Sequence, residues 1–462
     1  MSKNLQSWRA HLRQTIFLSL PLVGIQLSQA AIGITDTIMV GWLGAPELAA
    51  LVLATSFYFV LLIVGIGFSA AVLPLAATAK GADDDVMLRR AIRMGFWACT
   101  GYSVLALTIL FNTESILLFA GQDPTTAADA ALYMTIAKWA FWPALMSMNL
   151  RAFYIVLDRA NTMLLIIVLG VILNAVFNYI FIFGKLGLPS MGIEGAATAT
   201  LVANMFTLIA MVLYSVFDEK LKAFDIYRRL WRLDWEILGR VVSLGFPISM
   251  TLLAEVGLFT AASVMFGWIG TLELAAHGIV LQLATVTFMI PLGLSNVATT
   301  RVGVAYGREN SGDLKRAAYT TLMLAMSFMT IAAIVFWAMP KTLIALFLDD
   351  TGKDTLALIA LAVPYLLLAA LFQLFDGAQA VAAGILRGIQ DTRIPMVIAI
   401  FSYWVLGLGA SYLLAFKFQL GGVGIWAGLA LGLAAAAVLL IARFLLRDRL
   451  KIGLAVNRHQ TV

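Results

Sequence analysis

Three carboxylates stand where carboxylates are costly. Asp36, Glu255 and Asp376 each lie inside an apolar stretch, and roughly 20 apolar residues cross a bilayer as a helix. An acid at the centre of such a helix costs about 2.5–3.5 kcal/mol on insertion scales. Each must be paired, protonated or turned to a wet cavity, and the chemistry open to it is binding a cation or a proton. Asp36 is the only charge between Arg13 and Glu47. Its plain reading is a helix-end carboxylate near the outer interface, since Gly41 and Trp42 follow closely. Its functional reading is a cation-binding group. For Glu255 and Asp376 the plain reading is hydrogen bonding between helices.

Asn174 and Asn178 are spaced i, i+4, so their amides share one helical face. Amide hydrogen bonds between helices, about 0.6 kcal/mol each, would explain them. So would a hard-cation site in which their carbonyl oxygens join Asp36, because small hard cations take oxygen ligands. Thr200 is taken as a further ligand, although spacing does not choose between it and Thr198. The run Asp83-Asp84-Asp85 is similar to metal-binding aspartates of prenyl-diphosphate enzymes, but no second acidic motif accompanies it, and a solvated turn is expected. The single cysteine, Cys99, excludes an intrachain disulfide and a cysteine metal site. The three histidines, His11, His277 and His459, are scattered. There is no phosphate-binding P-loop, and no ATPase subunit, cofactor or resident metal is expected beyond Na⁺ at Asp36.

The elements that must position these residues are membrane helices. Of 462 residues 62% are hydrophobic and 12% charged, which indicates an integral membrane protein. The formal charge of +6 does not suggest nucleic acid. Twelve charge-poor windows mark the spans: 15–38, 48–72, 94–113, 131–153, 163–183, 194–217, 241–265, 275–298, 317–339, 357–384, 394–416 and 421–446. The first is too long, with the wrong end, for a cleaved signal peptide. With the N-terminus placed inside, 26 Lys and Arg fall in inner segments and 5 toward the outside. That split predicts twelve spans with both termini cytoplasmic.

The chain repeats itself. GWLGAPELAA at 41–50 returns as GWIGTLELAA at 267–276, an offset of 226 residues. Pro21 matches Pro247, Gly81 matches Gly307, and Arg90-Ala91 matches Arg316-Ala317 at the same offset. Six spans per half is an even number, so the halves are parallel, with a site expected between them near the midplane. The expected lobes are 1–217 and 241–462. The cytoplasmic linker 218–240 has a short amphipathic helix on the membrane surface as one reading. The repeat mate of Asp36 is Ala262 and that of Glu255 is Gln29. Asp376 has its nearest counterpart at Met146. The carboxylates are therefore additions to a symmetric scaffold. Gly424, Gly428 and Gly432 form a small-residue stripe that reads as helix packing.

These features resemble the multidrug and toxic compound extrusion (MATE) family, and within it the NorM-like branch. The resemblance covers nearly the whole chain. It rests on the duplicated six-span halves, the D-x-x-M-V-G-x-L-G turn at 36–44, the basic loop with Arg89-Arg90, and LRGIQDTRIPM at 386–396. The last is similar to the family's R-G-x-G-D-T-R-x-P, with Gln390 where a glycine is common. The resemblance implies an all-α membrane protein whose two six-helix lobes surround a central cavity. It also implies a secondary exporter of organic cations, not an enzyme, driven by Na⁺ or H⁺ in a bacterial inner membrane. A single chain is expected. In this branch carboxylates in spans one, seven and ten serve coupling and substrate binding, which implies coupling at Asp36 with Asn174, Asn178 and Thr200, and substrate binding or coupling at Glu255 and Asp376. Two rivals stay open: a lipid-linked or polysaccharide flippase, expected to carry more cavity cations, and a membrane enzyme acting on prenyl or lipid substrates. The sequence does not choose between Na⁺ and H⁺, nor does it give the substrate list.

Overall fold

The computed structural model describes residues 8–348 and 355–450. Lys3, Lys353, Lys451, Arg458 and His459, which entered the counts above, lie outside the described residues. Among the described residues every regular element is helical. Eleven expected spans are long apolar helices: α1 Trp8–Gly41, α2 Ala45–Gly81, α3 Asp85–Leu110, α5 Ala160–Phe183, α6 Gly192–Phe217, α7 Trp235–Ile269, α8 Thr271–Gly307, α9 Ser311–Ala338, α10 Thr355–Gly388, α11 Arg393–Lys417 and α12 Gly421–Leu445. The remaining span, α4, is segmented into Pro124–Ala137, a 3₁₀ turn Lys138–Ala140, and Phe141–Val156. Pro143 has no N–H to offer the carbonyl of Trp139, so the helix tightens there. Lys138, inside the expected window 131–153, sits 3.9 Å over the Phe111 ring.

The helices outrun their apolar windows. Arg and Lys are good helix formers, so α1 starts at Trp8 and α10 continues to Gly388. This puts Arg301 on α8 and Arg387 on α10. The start of α1 is held by such a residue. Arg301 donates to the His11 carbonyl at 2.8 Å, to Thr15 Oγ1, and to His11 Nδ1 at 2.7 Å. A guanidinium only donates, so His11 Nδ1 accepts, and Nε2–H donates to Asp313 Oδ1 at 3.2 Å.

The repeat extends to caps and contacts. Helices α2 and α8 are offset by 226 at both ends. Helices α3 and α9 start at that offset, and each is capped by a side chain, Asp84 accepting from Met87 N and Asn310 from Asp313 N. Asp84 of the triple-aspartate run is thus a helix cap, which agrees with the solvated-turn reading. Two compact units result, Gly24–Ser249 and Met1–Val23 with Met250–Val462. In the first, Gly67 lies under the backbone of Ser249, where an added Cβ would meet Ser249 N at 2.5 Å. In the second, Gly293 lies under Val23, where a Cβ would meet Val23 Cα at 2.9 Å. Both the glycines and their partners are repeat mates.

The second unit has a core of Phe266, Tyr365, Phe372 and Trp426, with His277 stacked 4.2 Å from Phe266. The glycine stripe of α12 packs against α11. Added Cβ atoms at Gly424, Gly428 and Gly432 would lie 2.6 Å from Ala415 N, 2.5 Å from Ser411 Cα and 2.7 Å from Gly407 Cα. Helix α11 itself is widened into π turns at Phe401–Leu408 and Leu413–Lys417.

The linker departs from expectation. Only Glu219–Lys222 is helical, and turns follow until α7 begins at Trp235. Polar bonds hold it to α3. Arg93 donates to the carbonyls of Asp225 at 2.8 Å and Ile226 at 3.0 Å, and Trp97 to that of Leu230 at 2.7 Å. Arg90 pairs with Asp234 at 2.5 Å. With its backbone carbonyls so engaged, the segment does not form a longer amphipathic helix.

Candidate functional site

Asp36, Asn174, Asn178 and Thr200 converge within the unit Gly24–Ser249. Helices α5 and α6 approach closely at glycines: a Cβ on Gly170 would meet Thr207 Oγ1 at 2.6 Å, and one on Gly195 the Phe181 carbonyl carbon at 2.6 Å. That contact sets the two asparagines of α5 beside Thr200 of α6, and Asp36 of α1 closes the group. Asn178 Nδ2 donates to Asp36 Oδ1 at 2.5 Å and to Asn174 Oδ1 at 3.2 Å. Thr200 Oγ1 donates to Asp36 Oδ2 at 2.9 Å, and Asn174 Nδ2 to Thr200 Oγ1 at 3.3 Å. The four side chains form a ring, with Asp36 6% exposed and both asparagines fully buried.

Each carboxylate oxygen in this ring is satisfied by a donor. One atom is left over: Asn178 Oδ1 is buried without a partner. An orphan acceptor beside a carboxylate is what a cation or a shared proton would fill. Thr198 donates instead to the Glu194 carbonyl at 2.8 Å, so Thr200 is the threonine that meets Asp36. Two neighbours escaped the sequence reading. Asn204 donates to the Thr200 carbonyl at 2.9 Å, and buried Tyr133 of α4 lies in the field of Asp36. Asn204 follows Thr200 at i+4 and was legible in principle; Tyr133 is one tyrosine among many. Ala262, the repeat mate of Asp36, is buried in the apolar core of the other unit.

Glu255 of α7 and Asp376 of α10 belong to the second unit, and their setting is the opposite. Neither accepts a hydrogen bond among the described residues, and Asp376 Oδ1 is buried without a partner. The hydroxyl of Tyr403, on the π-helical stretch of α11, is buried and also unpartnered. Trp404 next to it pins α11 to α7, donating to the Ala254 carbonyl at 3.2 Å and filling the space over Gly257. Glu255, Asp376 and Tyr403 act electrostatically on one another.

A fourth group, which the apolar spacing does not bring to this site, is Arg387. Because α10 extends to Gly388, Arg387 is on the same helix as Asp376, and its charge acts on Glu255 and Tyr403. Two acids and one guanidinium thus share this region. Arg387 lies beyond the apolar window 357–384. Tyr403 carried no signal, because π turns leave no trace in apolar spacing.

Comparison with known proteins places this geometry. The MatE family model matches residues 21–180 and 247–413. The chain is similar to "Probable multidrug resistance protein NorM" of Rhizobium meliloti (strain 1021), 47% identical over 95% of this chain and 94% of that one. It is 35% identical to the protein of the same name from Synechocystis sp. (strain ATCC 27184 / PCC 6803 / Kazusa), over 94% of this chain and 95% of that one. Among solved structures, MATE in the bent conformation matches with a TM-score of 0.87 at 21% identity, covering 98% of this chain and 100% of the other. The eukaryotic MATE transporter AtDTX14 matches with a TM-score of 0.84 at 22% identity, over 96% and 98%. By family match and by relatives aligned along nearly its whole length, the chain belongs to the MATE family of membrane transporters.

Proposed function

We propose that this protein is a secondary active multidrug efflux transporter that exports lipophilic organic cations in exchange for Na⁺ or H⁺. The observation that carries this reading is the contrast between its carboxylates: Asp36 is closed in a ring of donors, whereas Glu255 and Asp376 are open. The name of the Rhizobium relative, a probable multidrug resistance protein, supports the drug-export side.

The coupling ion binds at Asp36. When a cation arrives, the Asn178 amide rotates and presents Oδ1, the orphan acceptor, while the Thr200 hydroxyl turns its lone pair inward. Asn174 Oδ1 completes an oxygen set. A proton achieves the same discharge by converting the carboxylate into a donor. The drug cation is held by Glu255 and Asp376, whose free lone pairs attract positive charge. Ion and drug favour different states of an alternating-access cycle between the lobes 1–217 and 241–462, joined by 218–240, and this difference drives exchange. The protein works as a single chain in a bacterial inner membrane with both termini in the cytoplasm, a sidedness supported by the basic bias of the loops. A reporter fused after Val462 is expected to be active only on the cytoplasmic face, and activity outside would overturn the topology.

Purified protein in liposomes, given ethidium with a Na⁺ gradient alone and then a proton gradient alone, tests the function. Ethidium moved unchanged under one of them is expected. Chemical conversion of a lipid substrate would favour an enzyme, and movement of a lipid-linked phosphate without ethidium would favour a flippase.

A further inference from the structure

Arg387 is under-used for a half-buried guanidinium. It has five donors, yet its contacts are two long ones, Nε to the Ala383 carbonyl at 3.4 Å and Nη2 to Ser295 Oγ at 3.5 Å. It forms no direct ion pair among the described residues, although its charge acts on Glu255. Its long side chain is weakly anchored, and like Glu255 it keeps partial solvent access. Its helix is fixed close by. A Cβ on Gly384 would lie 2.5 Å from Ser295 Oγ and one on Gly388 2.9 Å from the Thr299 carbonyl, so α10 cannot draw back from α8 without opening that seam. A weakly anchored charge on a fixed stem therefore acts on Glu255, which accepts no hydrogen bond among the described residues and lies in the field of Asp376, whose Oδ1 is buried without a partner.

We propose that Arg387 is a tethered counter-charge that competes with the transported cation for Glu255, and so sets the affinity of the site that Glu255 forms with Asp376. The proposal rests on the reading that the drug cation sits at these carboxylates. With the site empty, the guanidinium partly neutralises Glu255. An arriving cation takes over that role. The site thus holds a net charge of one carboxylate, enough to attract a monovalent cation and little enough to release it.

The test is a charge ladder on the purified full-length protein, measured as affinity for ethidium, a cation, and for Nile red, which is neutral. Removing a nearby like charge in Arg387→Gln should tighten ethidium binding on the order of tenfold, and Arg387→Met should match it. Arg387→Lys should stay near wild type. Glu255→Gln should weaken ethidium, and Glu255→Gln/Arg387→Gln should return to within about threefold of wild type, because the net charge is restored. Nile red should change little throughout. Ethidium binding no tighter in either neutral variant, or a gain shared equally by Nile red, overturns the proposal. Should both single variants fail to fold, the double variant against Glu255→Gln reads the same charge; equal ethidium affinity in that pair would overturn it. If Glu255→Gln and Asp376→Asn both leave ethidium affinity unchanged, it is the parent reading that fails, since the cation then sits elsewhere.

Discussion

Replacing Asp36 by Asn removes one charge and keeps the shape. In the ring the carboxylate accepts from Asn178 at 2.5 Å and Thr200 at 2.9 Å. Hydrogen bonds to a charged group contribute about 1.5–3 kcal/mol against about 0.5–1.5 for neutral pairs, so the two bonds together lose roughly 2–3 kcal/mol. Relief from holding a carboxylate within the membrane, up to about 2.5–3.5 kcal/mol, offsets that loss. The new Nδ2 also finds a partner, since the Asn178 amide can rotate to offer its orphan Oδ1. The folded protein should therefore survive with its stability changed by about 1 kcal/mol. The ion is affected far more. A monovalent cation about 4 Å from a carboxylate gains roughly 4 kcal/mol at an effective dielectric of 20, close to three decades of affinity. An amide offers no proton site at all. The assay is drug binding to purified Asp36→Asn, titrated with Na⁺ at fixed pH and with pH at fixed Na⁺. Drug binding should persist, and ion-dependent release should vanish. Release at wild-type strength in Asp36→Asn, with loss of release in Glu255→Gln, would refute coupling at Asp36 and move it to the second unit.

Three further outcomes follow from separate parts of the molecule. Glu255→Gln and Asp376→Asn should each lower resistance to cationic drugs about tenfold more than to neutral ones; equal loss for both classes would exclude electrostatic recognition. Asp234, outside the spans, is held below the usual carboxylate range, chiefly by its hydrogen bond from Arg90. A depressed folded-state pKa gives stability above the unfolded value of about 3.9 that is lost as pH falls through the folded value. Asp234 also caps α7 through Ile237 N, so Asp234→Asn should cost about 1–2 kcal/mol at pH 7 and flatten the fall in Tm below pH 4. Gly293→Val should cost about 1–3 kcal/mol by overpacking against Val23. Gly101→Ala, where nothing lies within 4 Å, is the control, and equal Tm values would refute the close approach.

Repeat, spans and cap positions were legible because each depends on short-range pattern. The 226-residue offset that matches Pro21 to Pro247 also matches Gly67 to Gly293, and both pairs occupy equivalent structural positions. The Asp36 group was legible for a related reason. Asn174 and Asn178 share a face by periodicity alone, and a buried charge demands partners. Choosing Thr200 over Thr198 required the rotation of α6 against α1, which sequence spacing does not specify. The reach of α10 to Arg387 was not legible because hydropathy marks where a helix leaves apolar surroundings, not where its hydrogen bonds stop. The break at Lys138–Ala140 had a visible cause in Pro143, but proline in a membrane helix kinks as readily as it interrupts.

The two carboxylate groups solve one problem in different ways. A transporter must let go of what it binds, and an emptied buried carboxylate costs several kcal/mol if nothing replaces its partner. At Asp36 the replacement is local. The Asn178 amide and the Thr200 hydroxyl occupy both oxygens, so on the proposed reading the ion leaves behind a hydrogen-bonded anion and must displace two donors to return. That exchange lowers ion affinity without abolishing it. Glu255 and Asp376 accept no hydrogen bond among the described residues, and on the proposed reading a drug cation is too large for a ring that closes at hydrogen-bond distance. A charge on a flexible stem suits a site whose cargo varies in shape, because a guanidinium can withdraw by different amounts for different occupants. In the proposed mechanism, symmetric helices with unlike polar groups thus allow one small ion to be chosen by fixed oxygens, while many drugs are accepted on charge alone.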